Sequence, residues 1–375
     1  MRPGTSQPGR LRRNRPGLAA ALVSPAAALA AGTAAACAAR AAYSALTRRP
    51  PGGAVTWTRT NHRGEQLTLL EGPALTVGSV AVSALGPGLP PRARAALAVA
   101  GTGAAAFGGY DDLAGSGSRR GFRGHLGALA GGEVTTGAVK LGGIGATGLV
   151  SAALLGGGPA DVAVNAGLVA GSANLLNLFD LRPGRALKVA LASGTLLAAS
   201  ARRGPTRAGT ATRPGAGPPT VPGTATGPGA ATGPGAATAP SAAGPGAALE
   251  PGSRPGALLA VAAPLGAAIA LLPEDLGERA MLGDAGANGL GALLGVAAAA
   301  SLSRPARLAL LAAITGLTAA SEVVSFTAVI ERTPPLRWLD MLGRRPVPAA
   351  PVPGRDDPPP AEPREAGATA ATAPS

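Results

Sequence analysis

Long apolar runs separated by short polar loops dominate the chain. A run of about 17 to 25 apolar residues can cross a bilayer as a helix, and the sequence contains about nine candidates. They cover residues 18–39, 67–86, 93–110, 134–155, 161–179, 186–200, 257–272, 286–301 and 306–328. The pattern predicts an all-α fold, a polytopic membrane helix bundle with about nine to ten transmembrane helices.

The apolar runs fall into two groups separated by a polar insert. We expect a basic tail over 1–17, membrane helices over 18–200 and 257–328, a flexible insert over 201–256, and a cytoplasmic segment with a disordered tail over 329–375. The insert is rich in Gly, Pro, Ala and Thr, a composition that cannot bury a core. The first run, 18–39, is compatible with a cleaved signal peptide or with an uncleaved membrane helix. Its length, and the second run that follows soon after, favour the uncleaved helix.

The amino-acid composition excludes several classes of protein. Charged residues make up only 14% of the chain, against roughly 25% in soluble domains, which excludes an ordinary soluble enzyme. The single cysteine, Cys37, excludes a disulfide scaffold. A net charge of +14 is compatible with nucleic-acid binding, but aromatic residues are only 2% and the basic residues are spread between the apolar runs. We therefore expect no nucleic-acid partner and a basic contact with the membrane surface.

Arginines in two loops predict the orientation. Arg119, Arg120 and Arg123 follow the third run, and Arg182 and Arg185 follow the fifth. Short loops rich in Arg stay on the cytoplasmic side, so we expect a multi-pass protein of the plasma membrane with its N-terminus outside. This topology places four clusters of polar residues at the cytoplasmic ends of the runs.

Two of these clusters carry charge suited to phosphate chemistry. Asp111 and Asp112 end the third run, and adjacent carboxylates suit a divalent metal ion or a base beside a bound phosphate; the alternative is a solvated pair at the membrane edge. Lys140 opens the fourth run, where its ammonium could contact a phosphate or simply reach the membrane surface.

The other two clusters end the fifth run and precede the eighth. Asn174, Asn177 and Asp180 recur at intervals of three and share one helix face, with Lys188 two turns later. This register favours a binding site over plain interhelical hydrogen bonds. Asp284 lies between glycines just before a helix N-terminus, where phosphate binds readily.

The order of these clusters resembles the polyprenyl-phosphate N-acetylhexosamine-1-phosphate transferases, glycosyltransferase family 4 membrane enzymes that include UDP-MurNAc-pentapeptide and UDP-GlcNAc transferases. The resemblance runs from about residue 67 to 345, without the insert. It is carried by Asp111-Asp112, Asn174-x-x-Asn177-x-x-Asp180, Gly283-Asp284-x-Gly286, and the stretch from Arg120-Gly121-Phe122-Arg123-Gly124-His125 to Thr135-Thr136-Gly137-x-x-Lys140.

The resemblance implies a Mg²⁺-dependent transfer, with Mn²⁺ as the alternative ion, of a sugar-1-phosphate from a UDP-sugar to polyprenyl phosphate, and it is compatible with a homodimer. Asp284 would hold the metal with Asp111, and Asp111 and Asp112 would act on the lipid phosphate. The substrate-binding residues would be Lys140, Asn174, Asn177, Asp180, Lys188 and His125, the histidine being otherwise a solvated loop residue.

The chain also departs from the family pattern. Pro183 stands where the family has a second carboxylate, Ala285 and Ala287 replace hydroxyl residues, and a histidine-rich loop is absent, since the only histidines are His62 and His125. These replacements affect positions with which the family recognises the nucleotide and the sugar. Two hypotheses remain: an active phosphoglycosyl transferase, or a non-catalytic relative that binds lipid phosphate or acts as a scaffold. A transporter is less favoured because no internal repeat is evident.

Overall fold

The computed structural model of the chain describes residues 18–61, 63–114, 132, 134–202 and 254–346. The basic tail, the arginines expected to set the orientation at 119–123, His125, nearly all of the insert and the tail beyond 346 lie outside the described residues. The expectations for them stay predictions.

The described chain is mainly helical, with one small hairpin. Its elements are α1 (Leu18–Arg48), α2 (Ala54–Trp57), β1 (Thr58–Thr60), β2 (Gln66–Thr68), α3 (Glu71–Leu85), α4 (Pro91–Ala114), α5 (Thr136–Leu155), α6 (Pro159–Phe179), α7 (Arg185–Arg202), α8 (Arg254–Leu276), α9 (Gly283–Ser301), α10 (Arg304–Ser321), α11 (Phe326–Arg332) and α12 (Pro334–Met341).

Each predicted apolar run overlaps at least one of these helices. Among the described residues, three helical segments are long and apolar enough to cross a membrane: Thr136–Leu155, Pro159–Phe179 and Gly256–Leu276. The number rises to four if the bent pair of α10 and α11 counts as one span. The expectation of a mainly helical chain with apolar helices is therefore confirmed, with three to four candidate spans among the described residues, whereas a bundle of nine to ten spans stays a prediction.

Two runs differ from the sequence expectation at their ends. The last run, 306–328, is not one continuous helix, because α10 ends at Ser321 and the chain turns by 93° before α11 begins. The second run begins in strand β2, which pairs antiparallel with β1, and becomes helical only at Glu71.

Helix α9 is the centre of the bundle. It packs against α3, α4, α6 and α8, and its residues from Ala285 to Ala299 are buried on every side. A helix that is apolar all round belongs in such a core. Its glycines permit the close approach: a Cβ at Gly295 would lie 2.7 Å from the Cα of Val169 on α6.

The hairpin fixes the loop that leads into α9. Thr68 at the end of β2 forms a parallel bridge with Ala280, and its carbonyl accepts the N–H of Met281 at 3.0 Å. The backbone before Asp284 is thus tied to the start of α3. This pairing positions the N-terminus of α9 against the polar end of α4.

Candidate active site

Lys140 lies between two carboxylates that come from different helices. Its Nζ donates to Asp284 Oδ2 on α9 and contacts Asp111 Oδ2 on α4 at 3.4 Å. Lys140 is only 8% exposed, and an ammonium at that depth needs such partners because an unpaired buried charge is costly. Three residues that lie far apart in the sequence therefore form one charged cluster.

Asp112 has a different role from its neighbour. Its two carboxylate oxygens accept the backbone N–H groups of Asp284 at 3.0 Å and Ala285 at 2.9 Å. The first N–H groups of a helix lack partners within it, and a negative charge is favourable there. Asp112 thus fixes the first turn of α9, whereas the adjacent Asp111 contacts Lys140.

Small residues allow these elements to meet. Gly283 adopts a φ of +63°, which favours glycine, and a Cβ there would lie 3.1 Å from Asp112 Oδ2. Gly108 on α4 lies against the carbonyl of Asp284, which accepts a hydrogen bond from Asn288 Nδ2 at 2.7 Å. A side chain at either glycine would push the Asp284 turn away from α4.

Asp180 lies beside this cluster and lines its own cavity. It follows the last residue of α6, and its N–H donates to the carbonyl of Asn177 at 3.0 Å. A cavity of about 280 Å³ is lined by Asp180, Arg182, Asp275 and Glu278, among others. Burial, followed by the charges of Asp275, Asp284 and Asp112, raises the pKa of Asp180 well above its usual range.

The remaining predicted residues are more scattered. Asn174 and Asn177 are half-buried on α6, the helix that ends beside Asp180. Lys188 does not join the charged cluster: its ammonium donates to the backbone carbonyls of Leu339 at 3.1 Å and Asp340 at 2.7 Å. Lys188, near the start of α7, therefore helps to hold α12 against the bundle.

Sequence reasoning did not single out several polar residues around the site. Arg59 donates to the backbone carbonyl of Asp112 at 2.6 Å. Glu71 is fully buried with both carboxylate oxygens unpartnered, and Asp275 is 2% exposed with one oxygen unpartnered. A signal existed for the two acids, since Glu71 lies inside the predicted apolar run 67–86 and Asp275 lies three residues after the run 257–272.

Asp111 and Asp284 are the residues of the charged cluster that would hold a divalent cation. Among the described residues, no group of three or more His, Cys, Asp or Glu side chains is placed to hold a metal ion. Asp111 and Asp284 nevertheless direct one oxygen each toward the same ammonium. Mg²⁺ commonly binds through one or two carboxylates together with water and substrate phosphates, so the donor type fits that ion, but the Lys140 ammonium lies between the two oxygens in this structure.

Comparison with known proteins does not assign the chain to a family. No protein-family model matches the chain, and no curated protein matches its sequence.

Proposed function

We propose that the chain is a multi-pass protein of the plasma membrane that transfers a sugar-1-phosphate from a nucleotide sugar, UDP-linked, to polyprenyl phosphate in cell-envelope polymer synthesis. The observation that carries the proposal is the convergence of Lys140, Asp111 and Asp284 at the capped start of α9. Phosphoryl transfer depends chiefly on charge neutralisation and positioning, and this cluster can supply both. The proposal includes nine to ten spans and a cytoplasmic active face.

The proposed reaction is a displacement at phosphorus. An oxygen of the lipid phosphate forms a bond to the β-phosphorus of the nucleotide sugar. The bond from that phosphorus to the bridging oxygen breaks, and the nucleoside monophosphate leaves with that oxygen. The products are a polyprenyl-diphospho-sugar and the monophosphate.

The chain's residues then take distinct roles. Lys140 offsets negative charge on the phosphates, and Asp111 serves the lipid phosphate, either by accepting its proton or by helping to hold the metal ion beside it. Asp112 is a positioning residue, because both its oxygens hold the first turn of α9. Asp111 and Asp284 would hold Mg²⁺, which when bound neutralises charge on the phosphate oxygens.

An apolar cavity supports a lipid substrate. It measures about 400 Å³, lies between α6, α7, α9 and α10, and is lined by residues such as Leu176, Leu196, Leu294 and Ile314. An isoprenoid chain has the chemistry that such a lining accepts.

The test is the release of nucleoside monophosphate by the full chain in membranes supplied with Mg²⁺, polyprenyl phosphate and a panel of nucleotide sugars. We expect Asp284→Asn to lower the rate by about 100-fold, as loss of a key electrostatic group commonly does. Asp161→Asn is the matched control, because Asp161 also pairs with a largely buried cation, Arg307 at 3.1 Å, but lies in the first turn of α6, at the opposite end of that helix from Asp180. No release with any donor, or full release by Asp284→Asn, would refute the proposal.

A non-catalytic function is the second candidate. It is favoured by the use of both Asp112 oxygens in capping α9 and by Pro183 at a family carboxylate position. A protein of this kind would bind polyprenyl phosphate without turnover. Complementation of a deletion strain by an Asp112→Ala/Asp284→Ala double variant supports this candidate, and failure despite normal expression counts against it.

A further inference from the structure

Helix α12 is held to the bundle by its polar side. The carboxylate of Asp340 is nearly buried and accepts two hydrogen bonds from Arg185, at 2.7 Å from Nε and 3.2 Å from Nη2. Arg344 donates to the same carboxylate at 2.8 Å. Asp340 is therefore the contact that fixes which side of α12 faces the protein.

The apolar side of the same helix faces outward. Trp338, Leu339 and Leu342 are 64%, 51% and 54% exposed. Trp338 and Leu342 are four residues apart and share a face, whereas Asp340 is two residues from each and points to the opposite side. An ordinary amphipathic helix buries its apolar face, so the orientation of α12 is the reverse of that expected against a protein core.

Basic residues accompany the exposed apolar face. Arg337 on α12 and Arg332 at the end of α11 are both exposed, as is the acidic Glu331 beside Arg332. Arg337 lies about 100° around the helix from Trp338, at the edge of the apolar face. The chain turns by 93° between α10 and α11, so α11, the first part of the arm formed by residues 326–342, leaves the direction of the preceding helix. Outward Trp and Leu beside Arg are the composition of helices that lie in the interface of an anionic bilayer.

We propose that α12 lies on an anionic phospholipid surface, with Trp338, Leu339 and Leu342 among the headgroups and Arg337 beside their phosphates. This inference requires a chain seated at a membrane but no transferase activity. Basic side chains near such a surface attract anionic lipid, and Trp prefers the headgroup region.

The arm is fixed at the end of the bundle that carries Asp180. The rings of Phe179 and Phe326 stack with centroids 5.1 Å apart, and Arg185 donates to the hydroxyl of Thr327 at 2.8 Å. Membrane contact through α12 would therefore orient the α6–α7 turn relative to the lipid surface.

Tryptophan fluorescence tests this placement in the full chain. The sequence contains two tryptophans, so Trp57→Phe leaves Trp338 as the only one. The variant is reconstituted in lipid nanodiscs with and without phosphatidylglycerol, using lipids brominated near the headgroup or water-soluble iodide as quenchers. We expect most of the Trp338 emission to be lost with brominated lipid, little to be lost with iodide, and the lipid quenching to increase with phosphatidylglycerol.

Two patterns would overturn the proposal. Strong quenching by iodide with none by brominated lipid means that α12 faces water. Protection from both quenchers means that protein, such as a second copy of the chain, covers the helix. Arg337→Glu in the same background should reduce the lipid quenching, whereas Arg49→Glu, an exposed arginine after α1, should not. Monophosphate release measured on the same nanodiscs reports separately on the proposed function.

Discussion

Asp112 holds the backbone of Asp284, accepting its N–H at 3.0 Å through one carboxylate oxygen. The other oxygen accepts the next N–H, so one side chain from α4 caps the buried helix α9. Asp111, its neighbour in the sequence, instead contacts Lys140. The two adjacent carboxylates therefore make different contacts, and replacing each of them should affect stability differently.

Asp112→Ala should destabilise the protein more than Asp111→Ala. Loss of a helix cap costs about 1 kcal/mol, and a buried unpaired N–H adds about 1–3 kcal/mol. The melting temperature of the purified protein in detergent measures the difference. Equal melting temperatures for the two variants would mean that capping by Asp112 does not contribute to stability.

Lys140→Met should cost about 3 kcal/mol, because it leaves Asp111 and Asp284 facing each other without a cation. Adding Asp284→Asn removes one of these charges, so the double variant should regain part of the stability, whereas the proposed transfer would stay low. Denaturant or thermal unfolding of the two single variants and the double variant gives the coupling energy. Additive losses would show that the ion pair is unimportant for the fold.

Gly108→Ala should be destabilising by about 1–3 kcal/mol, the usual cost of overpacking a tight contact. Its Cβ would lie 2.9 Å from Asn288 Nδ2 and would also collide with the backbone of Asp284. Gly142→Ala on α5 is the matched control, since nothing lies within 4 Å of its new methyl group. That control should gain about 0.5–1 kcal/mol from helix propensity, and melting temperatures should therefore change in opposite directions.

Asp340→Asn should weaken the attachment of α12, costing about 3 kcal/mol because Arg185 loses its buried partner. Although burial opposes ionisation of Asp340, the hydrogen bond and charge of Arg185 and the charges of Arg344 and Lys188 lower its pKa.

The lowered pKa gives this attachment a pH dependence. The ionised carboxylate contributes its full stability above the unfolded pKa of about 3.9, and the contribution falls as pH drops from there toward the folded value. The difference in melting temperature between the native chain and Asp340→Asn should therefore be constant near pH 7 and narrow below about pH 4. A gap that does not change with pH would contradict this assignment.

Much of the local structure could be predicted from the pattern of residues. Runs of Ala, Leu, Val and Gly become helices because their backbone groups pair within the segment. Charged residues at the ends of these runs, such as Lys140 and Asp284, were recognisable because a charge at such a position needs a partner. The break in the run 306–328 was not predicted, since residues 322–325 contain no Pro or Gly to end a helix; the signal present was Ser325, whose hydroxyl caps α11.

The sequence by itself determined the helices and the chemistry available at their ends. Only the tertiary structure decided which groups meet: successive helical residues point about 100° apart, so the different directions of Asp111 and Asp112 depend on how α4 packs against α9. The same holds for Lys188, whose ammonium contacts carbonyls about 150 residues further along the chain. Contacts over such separations follow from packing in three dimensions, which local residue preferences do not encode.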